Sequence, residues 1–218
     1  MYAESRVVKI DRSGVSFIAS AWLMAGALVS FGLAWWAVPF CVLGALFFFF
    51  FRDPYREPPN GEHLVLAPAD GRVLVAGEVV APDPPEGAWH QISIFLSPLD
   101  VHVNRVPIGG EVTHVSRRSG RYFAAYRKEA SAENERTEIG FRCRNGVVIC
   151  RQIVGVLARR LVCRVRVGQK VGAGERFGIM KFGSRIDLFV PRTATLVVGS
   201  GQRVRAGETT VARFTCSE

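Results

Sequence analysis

The stretch Phe177-Gly178-Ile179-Met180-Lys181-Phe182-Gly183-Ser184-Arg185-Ile186-Asp187-Leu188-Phe189-Val190-Pro191 lies between two copies of one short pattern. Gly168-Gln169-Lys170-Val171-Gly172-Ala173-Gly174-Glu175 precedes it. Gly201-Gln202-Arg203-Val204-Arg205-Ala206-Gly207-Glu208 follows, 33 residues after the first copy. Each copy reads as a strand, a turn whose glycines can take positive φ, and a second strand. Two such hairpins around a central strand predict quasi-symmetric halves of a β-barrel or sandwich, as in biotinyl and lipoyl carrier domains. Gly183-Ser184 is an ordinary turn dipeptide in other settings. Here it falls within strand-like sequence, where a hydroxyl sits one residue beyond the least hindered carbonyl a chain can offer. That position favours chemistry over a turn.

Outward from this segment, the chain from Arg52 onward is rich in Val, Gly and Arg. Gly71-Arg72-Val73-Leu74-Val75-Ala76, Gln91-Ile92-Ser93-Ile94-Phe95-Leu96 and Val147-Val148-Ile149-Cys150 read as strands bounded by Gly, Pro or Asp. Ser119 to Glu135 is richer in Ala, Glu and Lys and reads as partly helical or a long loop. Residues 52–218 thus form a mainly β (α+β) domain. Residues 1–51 are a different matter, because the 37 residues from Val15 to Phe51 hold no Asp, Glu, Lys or Arg. A cleaved secretory signal has an apolar core of only about 7–15 residues and ends in small residues. This run ends in Phe47-Phe48-Phe49-Phe50-Phe51, which predicts a retained membrane segment. A crossing helix takes roughly 20 residues, so the run can cross once with an interfacial stretch or fold as a hairpin. Gly32, Trp35, Trp36 and Pro39 at mid-run favour the hairpin. Lys9, Arg12, Arg52 and Arg56 flank it, which places both ends on the cytoplasmic face of the cell membrane. A hydrophobic helix pair buried at a dimer interface is the poorer reading.

The net charge of +9 is carried mostly by arginine, with patches at Arg117-Arg118, Arg121, Arg127-Lys128 and Arg159-Arg160. A basic soluble domain suits nucleic acid. Beside a membrane segment the same charge points instead to anionic lipid headgroups, at about 1 kcal/mol per basic residue near the surface, so no nucleic-acid partner is expected. The cysteines, Cys41, Cys143, Cys150, Cys163 and Cys216, are odd in number and contain no C-x-x-C. They indicate neither a disulfide framework nor a metal site, and they fit a reducing compartment.

Further segments carry chemistry. Phe50-Phe51-Arg52-Asp53-Pro54 leaves the apolar run, Ala67-Pro68-Ala69-Asp70-Gly71 places a carboxylate at a turn, and Ser97-Pro98-Leu99-Asp100-Val101-His102-Val103-Asn104-Arg105 sets a histidine past a strand end. Singly, each has a plain reading as a membrane stop, a turn or a satisfied core histidine. Together with Asn134-Glu135-Arg136, Gln152-Ile153-Val154-Gly155 and Phe182-Gly183-Ser184-Arg185, in this order, the chain resembles the phosphatidylserine decarboxylase family, in its short prokaryotic branch. The resemblance runs from about Phe50 to Pro191.

The resemblance implies a zymogen that cuts itself between Gly183 and Ser184 into a β chain of residues 1–183 and an α chain of 184–218, which stay associated as a heterodimer and can oligomerise further. Ser184 becomes a pyruvoyl group, with no metal involved. That ketone condenses with the amine of phosphatidylserine, CO2 leaves, and phosphatidylethanolamine is released. A serine hydroxyl needs a base and a stabilised oxyanion to attack. His102 and Asp70 match the family's motif positions for that base and its orienting carboxylate, and His102 is also the candidate for proton transfer during decarboxylation. Arg105 and Arg185 are candidates for holding the substrate's phosphate and carboxylate. One departure stands out. Long bacterial members carry an Asp-Tyr-His-x-x-His pattern, and Arg105 occupies the position of its second histidine. Either His102 serves both phases, or His63, His90 or His114 helps. An ether-lipid substrate, as in archaetidylserine decarboxylases, is equally compatible with these motifs. A rival from another class reads Met180-Lys181 as the modified site of a biotinyl or lipoyl carrier, but it leaves Asp70 and His102 unexplained.

Overall fold

The computed structural model describes residues 8–127, 129–156, 161–181 and 183–215. The chain divides at Tyr55–Arg56 into two compact units. The first comprises β1 (Lys9–Ile10), α1 (Arg12–Ser30), α2 (Ala34–Phe50) and β2 (Arg52–Asp53). Arg52 and Asp53 belong with the helices because β2 pairs antiparallel with β1. Asp11 starts α1 by accepting the Ser13 amide at 2.9 Å, which satisfies one of the first-turn N–H groups. The chain reverses at Phe31–Leu33, where Gly32 takes φ +76°. Pro39 lies inside α2, so the bend rests on the glycine and not on the proline. Small residues let the helices approach: a side chain at Gly14 would overlap the Phe51 ring, and one at Gly44 would press on the Trp22 indole. Phe17 packs at 5.5 Å from Phe47 and 5.7 Å from Phe51. Large apolar side chains such as Leu23 and Trp36 face outward, and Trp35 is 89% exposed. Among the described helices, α1 with 19 residues is long and apolar enough to cross a membrane, while α2 is shorter.

The second unit opens with β3 (Leu64–Leu66), β4 (Gly71–Glu78), β5 (Trp89–Leu96), β6 (Val103–Arg105) and β7 (Gly110–Arg118). A loop with the short helix α3 (Ala130–Glu133) leads to β8 (Arg136–Cys143), β9 (Gly146–Ile153) and β10 (Leu161–Cys163). Then come β11 (Lys170–Val171), β12 (Arg176–Met180), β13 (Ser184–Pro191), β14 (Ala194–Leu196), β15 (Arg203–Val204) and β16 (Thr210–Phe214). The chain is mainly β, with few helices. Its eight-stranded sheet runs in the order β11-β7-β8-β9-β13-β5-β4-β15, and two three-stranded sheets run β10-β12-β6 and β14-β16-β3.

The sequence repeat maps onto this order with an internal symmetry. The short strands β11 and β15, one from each copy, close the two edges of the eight-stranded sheet, and the strands that follow them, β12 and β16, are each the centre of a three-stranded sheet. The turns between them use Gly174 at φ +78° and Gly207 at φ +73°. These turns meet, because a Cβ on Gly207 would lie 3.4 Å from Gly174 Cα and 2.9 Å from Arg105 Cδ. One core, which includes Ile94, Leu96, Phe141, Cys150, Phe177, Ile186 and Leu188, fills the space between the sheets.

Left-handed φ costs a residue with a side chain about 1–2 kcal/mol. Gly207→Ala is therefore expected to lower stability by at least that amount in urea unfolding. Gly199→Ala, where an added Cβ meets nothing within 4 Å, should leave the midpoint almost unchanged.

Candidate active site

Strand β13 lies between β9 and β5, paired antiparallel to both. Successive side chains on a strand point to opposite faces. Ile186, Leu188 and Val190 join the main core, so Ser184, two residues before Ile186, points to the same face. It is fully buried, and its hydroxyl has no hydrogen-bond partner among the described residues. A buried hydroxyl without a partner is costly.

The residue before it is shaped to match. Gly183 takes φ +65°, a conformation that L side chains rarely adopt. A Cβ added to Gly155 would overlap the Gly183 carbonyl oxygen, so only glycine at 155 lets the backbone beyond β9 close on that carbonyl. Asn134 holds this region together. Its Nδ2 donates to the Phe123 and Val154 carbonyls, both at 2.8 Å, and its Oδ1 accepts from the Phe123 amide at 2.9 Å.

The end of β12 meets the start of β6, where the Met180 amide donates to the His102 carbonyl at 3.2 Å. His102 is fully buried. Its Nδ1 lies 2.8 Å from the Asp100 carbonyl oxygen. A carbonyl can only accept, so Nδ1 carries a proton and donates to it. The other histidines lie elsewhere. His90 pairs opposite Val190, about 20 Å along the strand from Ser184. His114 sits on β7, bonded to Glu138 at 3.2 Å, and the His63 carbonyl accepts from Phe214 near β3.

The remaining predicted residues are engaged in structure. Asp70 accepts from Arg56 and from the Ala206 amide, each at 2.7 Å, and Arg56 also bonds Glu208 at 2.9 Å. Burial, its largest influence, holds the Asp70 carboxyl above the ordinary range despite the Ala206 N–H and the Arg56 guanidinium. The His102 ring is bonded to the Asp100 carbonyl, and Asp70 is tied to the second repeat's turn. Arg105 reaches the same turn region, donating to the Gly174 carbonyl at 3.1 Å.

Arg185 follows the strand alternation to the face opposite Ser184. Its Nε donates to Asp187 at 2.6 Å and its Nη2 to Ser93 at 3.0 Å, while Ser131 donates to the second Asp187 oxygen at 2.7 Å. This is a buried ion pair beneath α3, with no outward-facing cation. Lys181, the residue a carrier would modify, is half-buried at the end of β12. Of the basic patches, Arg117, Arg118 and Arg121 pair with Glu135, Asp83 and Glu133, whereas Lys128, Arg159 and Arg160 lie outside the described residues, as do Phe182 and Cys216.

Two residues that the motif reading left without a role, Gln152 and Asn104, meet in the core. Gln152 lies opposite Ile186 on β9 and shares the core face with Cys150 and Val154, and its Nε2 donates to Asn104 Oδ1 at 2.7 Å. Both are fully buried. The signal that could have found Gln152 is a polar residue in phase with an apolar strand face.

The buried Ser184 hydroxyl, the His102 ring and the backbone closed on the Gly183 carbonyl make up the candidate site. The family model described as phosphatidylserine decarboxylase matches residues 43–212. The chain is 40% identical to the phosphatidylserine decarboxylase proenzyme of Wolbachia pipientis wMel over 94% of this chain and 91% of that one. It is 44% identical to the proenzyme of Salinibacter ruber over 94% and 88%. To that of Chlorobium phaeobacteroides it is 45% identical over 75% and 76%. The chain belongs to the phosphatidylserine decarboxylase family, a family of decarboxylase enzymes.

Breaking a buried ion pair on one side costs about 3–5 kcal/mol. Arg185→Ala is expected to destabilise the fold by that order in urea unfolding, and the double variant with Asp187→Ala should recover part of the loss. A stability equal to wild type in the single variant would contradict the structural role given to Arg185.

Proposed function

We propose that this chain converts phosphatidylserine to phosphatidylethanolamine and CO2 with a pyruvoyl group that it makes from Ser184 by cutting itself after Gly183. The single observation that carries this reading is the buried, unpartnered Ser184 hydroxyl directly after a positive-φ glycine whose carbonyl is closed upon by Gly155.

In the first phase His102 Nε2 takes the hydroxyl proton. Ser184 Oγ bonds to the Gly183 carbonyl carbon, and the peptide C–N bond breaks to leave an ester and the Ser184 amine. Loss of the α-proton then breaks the Cβ–O bond. Gly183 departs as a carboxylate, and water replaces the nitrogen at residue 184, which leaves as ammonia. Proximity supplies much of the rate, since attacking oxygen and carbonyl are neighbours in one chain. The surroundings of Ser184 fit the product, because the core face there is built of neutral groups such as Leu96 and Val154, both fully buried.

When present, such a ketone serves as the electron sink that an amine-bearing substrate needs in order to lose CO2. His102 then holds the proton that the former α-carbon takes up, while Leu96 and Val154 keep water out. The two chains remain joined, because residues after the cut supply β13 between β5 and β9, β15 against β4, and β16 against β3. The helical hairpin of the first unit carries the enzyme to its lipid on the cytoplasmic face of the membrane, with Lys9, Arg12 and Arg52 at the headgroup level.

Purified Ser184→Ala is expected to stay a single 24.0 kDa chain and to release no CO2 from phosphatidylserine vesicles. Gly155→Ala should slow the cut at least tenfold, as followed by denaturing gel, because its methyl displaces the Gly183 carbonyl. His102→Ala should stay uncut. CO2 release by Ser184→Ala at the wild-type rate would sink this reading.

A further inference from the structure

We infer that Asn104 and Gln152 form a neutral amide site for the carboxylate of the substrate's serine headgroup. This inference rests on the decarboxylase reading above. The two amides are fully buried and bonded to each other, Gln152 Nε2 to Asn104 Oδ1 at 2.7 Å. The pairing leaves Asn104 Nδ2 and Gln152 Oε1 with no hydrogen-bond partner among the described residues. Exchanging the orientation of both amides changes nothing essential, since the pair still leaves one N–H donor group and one carbonyl unmatched. Sealing two unmatched polar atoms in a core is costly. A pair kept only for packing would be replaceable by apolar side chains.

Position says what the amides meet. Gln152 stands opposite Ile186, two residues along the same face from Ser184, a diagonal spacing of about 7–8 Å that long side chains can bridge. Asn104 stands opposite Gly178 on β12. A Cβ at Gly178 would lie 3.0 Å from Gln152 Nε2 and would overlap the Val162 carbonyl, so the glycine makes the room in which the two amides join. A substrate held through its nitrogen at residue 184 carries its carboxylate on the next carbon. Its phosphate is several bonds farther out, toward the lipid chains. The group nearest this buried floor is therefore the carboxylate.

A neutral amide also suits the chemistry. The carboxylate's charge is lost as CO2 departs, so a tightly paired arginine would stabilise the ground state more than the transition state. An amide orients the group without that penalty. Arg185, the arginine that adjoins Ser184, points to the opposite face and is held by Asp187.

The test uses processed enzyme whose ketone has been reduced with borohydride, so that ligands bind without reacting. Titration calorimetry compares short-chain phosphatidylserine with short-chain phosphatidylethanolamine, which differ only in the carboxylate. Loss of a hydrogen bond to a charged group predicts that Asn104→Ala weakens the serine lipid about tenfold or more. Asn104→Asp, whose charge repels the ligand, should weaken it further, and both variants should bind the ethanolamine lipid as wild type does. Equal weakening for both lipids would place the amides on the phosphate and overturn the assignment. Unchanged binding in both variants would overturn it as well, as would failure of both variants to cut themselves, which assigns the pair to processing. If the wild-type chain itself stays whole and releases no CO2, the decarboxylase reading has failed. A cut, active wild type beside unaffected variants removes the amide assignment alone.

Discussion

The second unit is organised around β13, a central strand whose first residue places a hydroxyl on the core face with no hydrogen-bond partner among the described residues. Pairing with β5 and β9 fixes the strand from both sides, and the period-two alternation then decides where every neighbour goes. Ser184 faces the core while Arg185 and Asp187 close an ion pair on the other face. Each face thus stabilises the position of the other. The ion pair and the Ser131 hydroxyl lock the strand's phase, since a slip by one residue would bury a guanidinium among Ile94, Leu96 and Cys150.

The glycines beside that strand do the complementary work. Gly183 turns the backbone, Gly155 lets it close against the carbonyl, and Gly178 opens space for Gln152 to reach Asn104. Gly155 and Gly178 have no chemistry of their own, whereas the Gly183 carbonyl is the group proposed to be attacked. Gly155 and Gly178 each remove a side chain where two stretches of backbone come closer than a Cβ permits, and Gly183 takes a left-handed φ that side chains rarely adopt. At a larger scale the repeat glycines Gly174 and Gly207 do the same where the two turns meet, in a unit whose repeat strands occupy matching places at both edges of the main sheet.

Much of this was legible in the amino-acid order. The apolar run from Val15 to Phe51 announced the helices, and the Val-rich runs bounded by Gly, Pro or Asp announced a mainly β unit, whereas the strands of each repeat copy lie in different sheets and do not pair as the expected hairpins. The direction of Arg185 was legible too, because adjacent strand residues face opposite ways, but only once the phase of β13 is known. The Asp187 that neutralises it gave the hint. Contacts between distant strands were not legible. That the His102 ring bonds the Asp100 carbonyl, or that Asp70 and Arg56 meet Glu208 and Ala206, depends on how the sheets stack. The Asn104–Gln152 pair depends on a missing side chain at Gly178, which no local pattern reports.

The central claim is that the partnerless hydroxyl of Ser184 exists to be consumed. The most direct measurement is the intact mass of the purified wild-type chains under denaturing conditions. The account predicts one fragment ending at Gly183 and another beginning at residue 184, the latter lighter by one ammonia than the peptide from Ser184 to Glu218. A single unbroken chain of 24.0 kDa that still decarboxylates its lipid would contradict it.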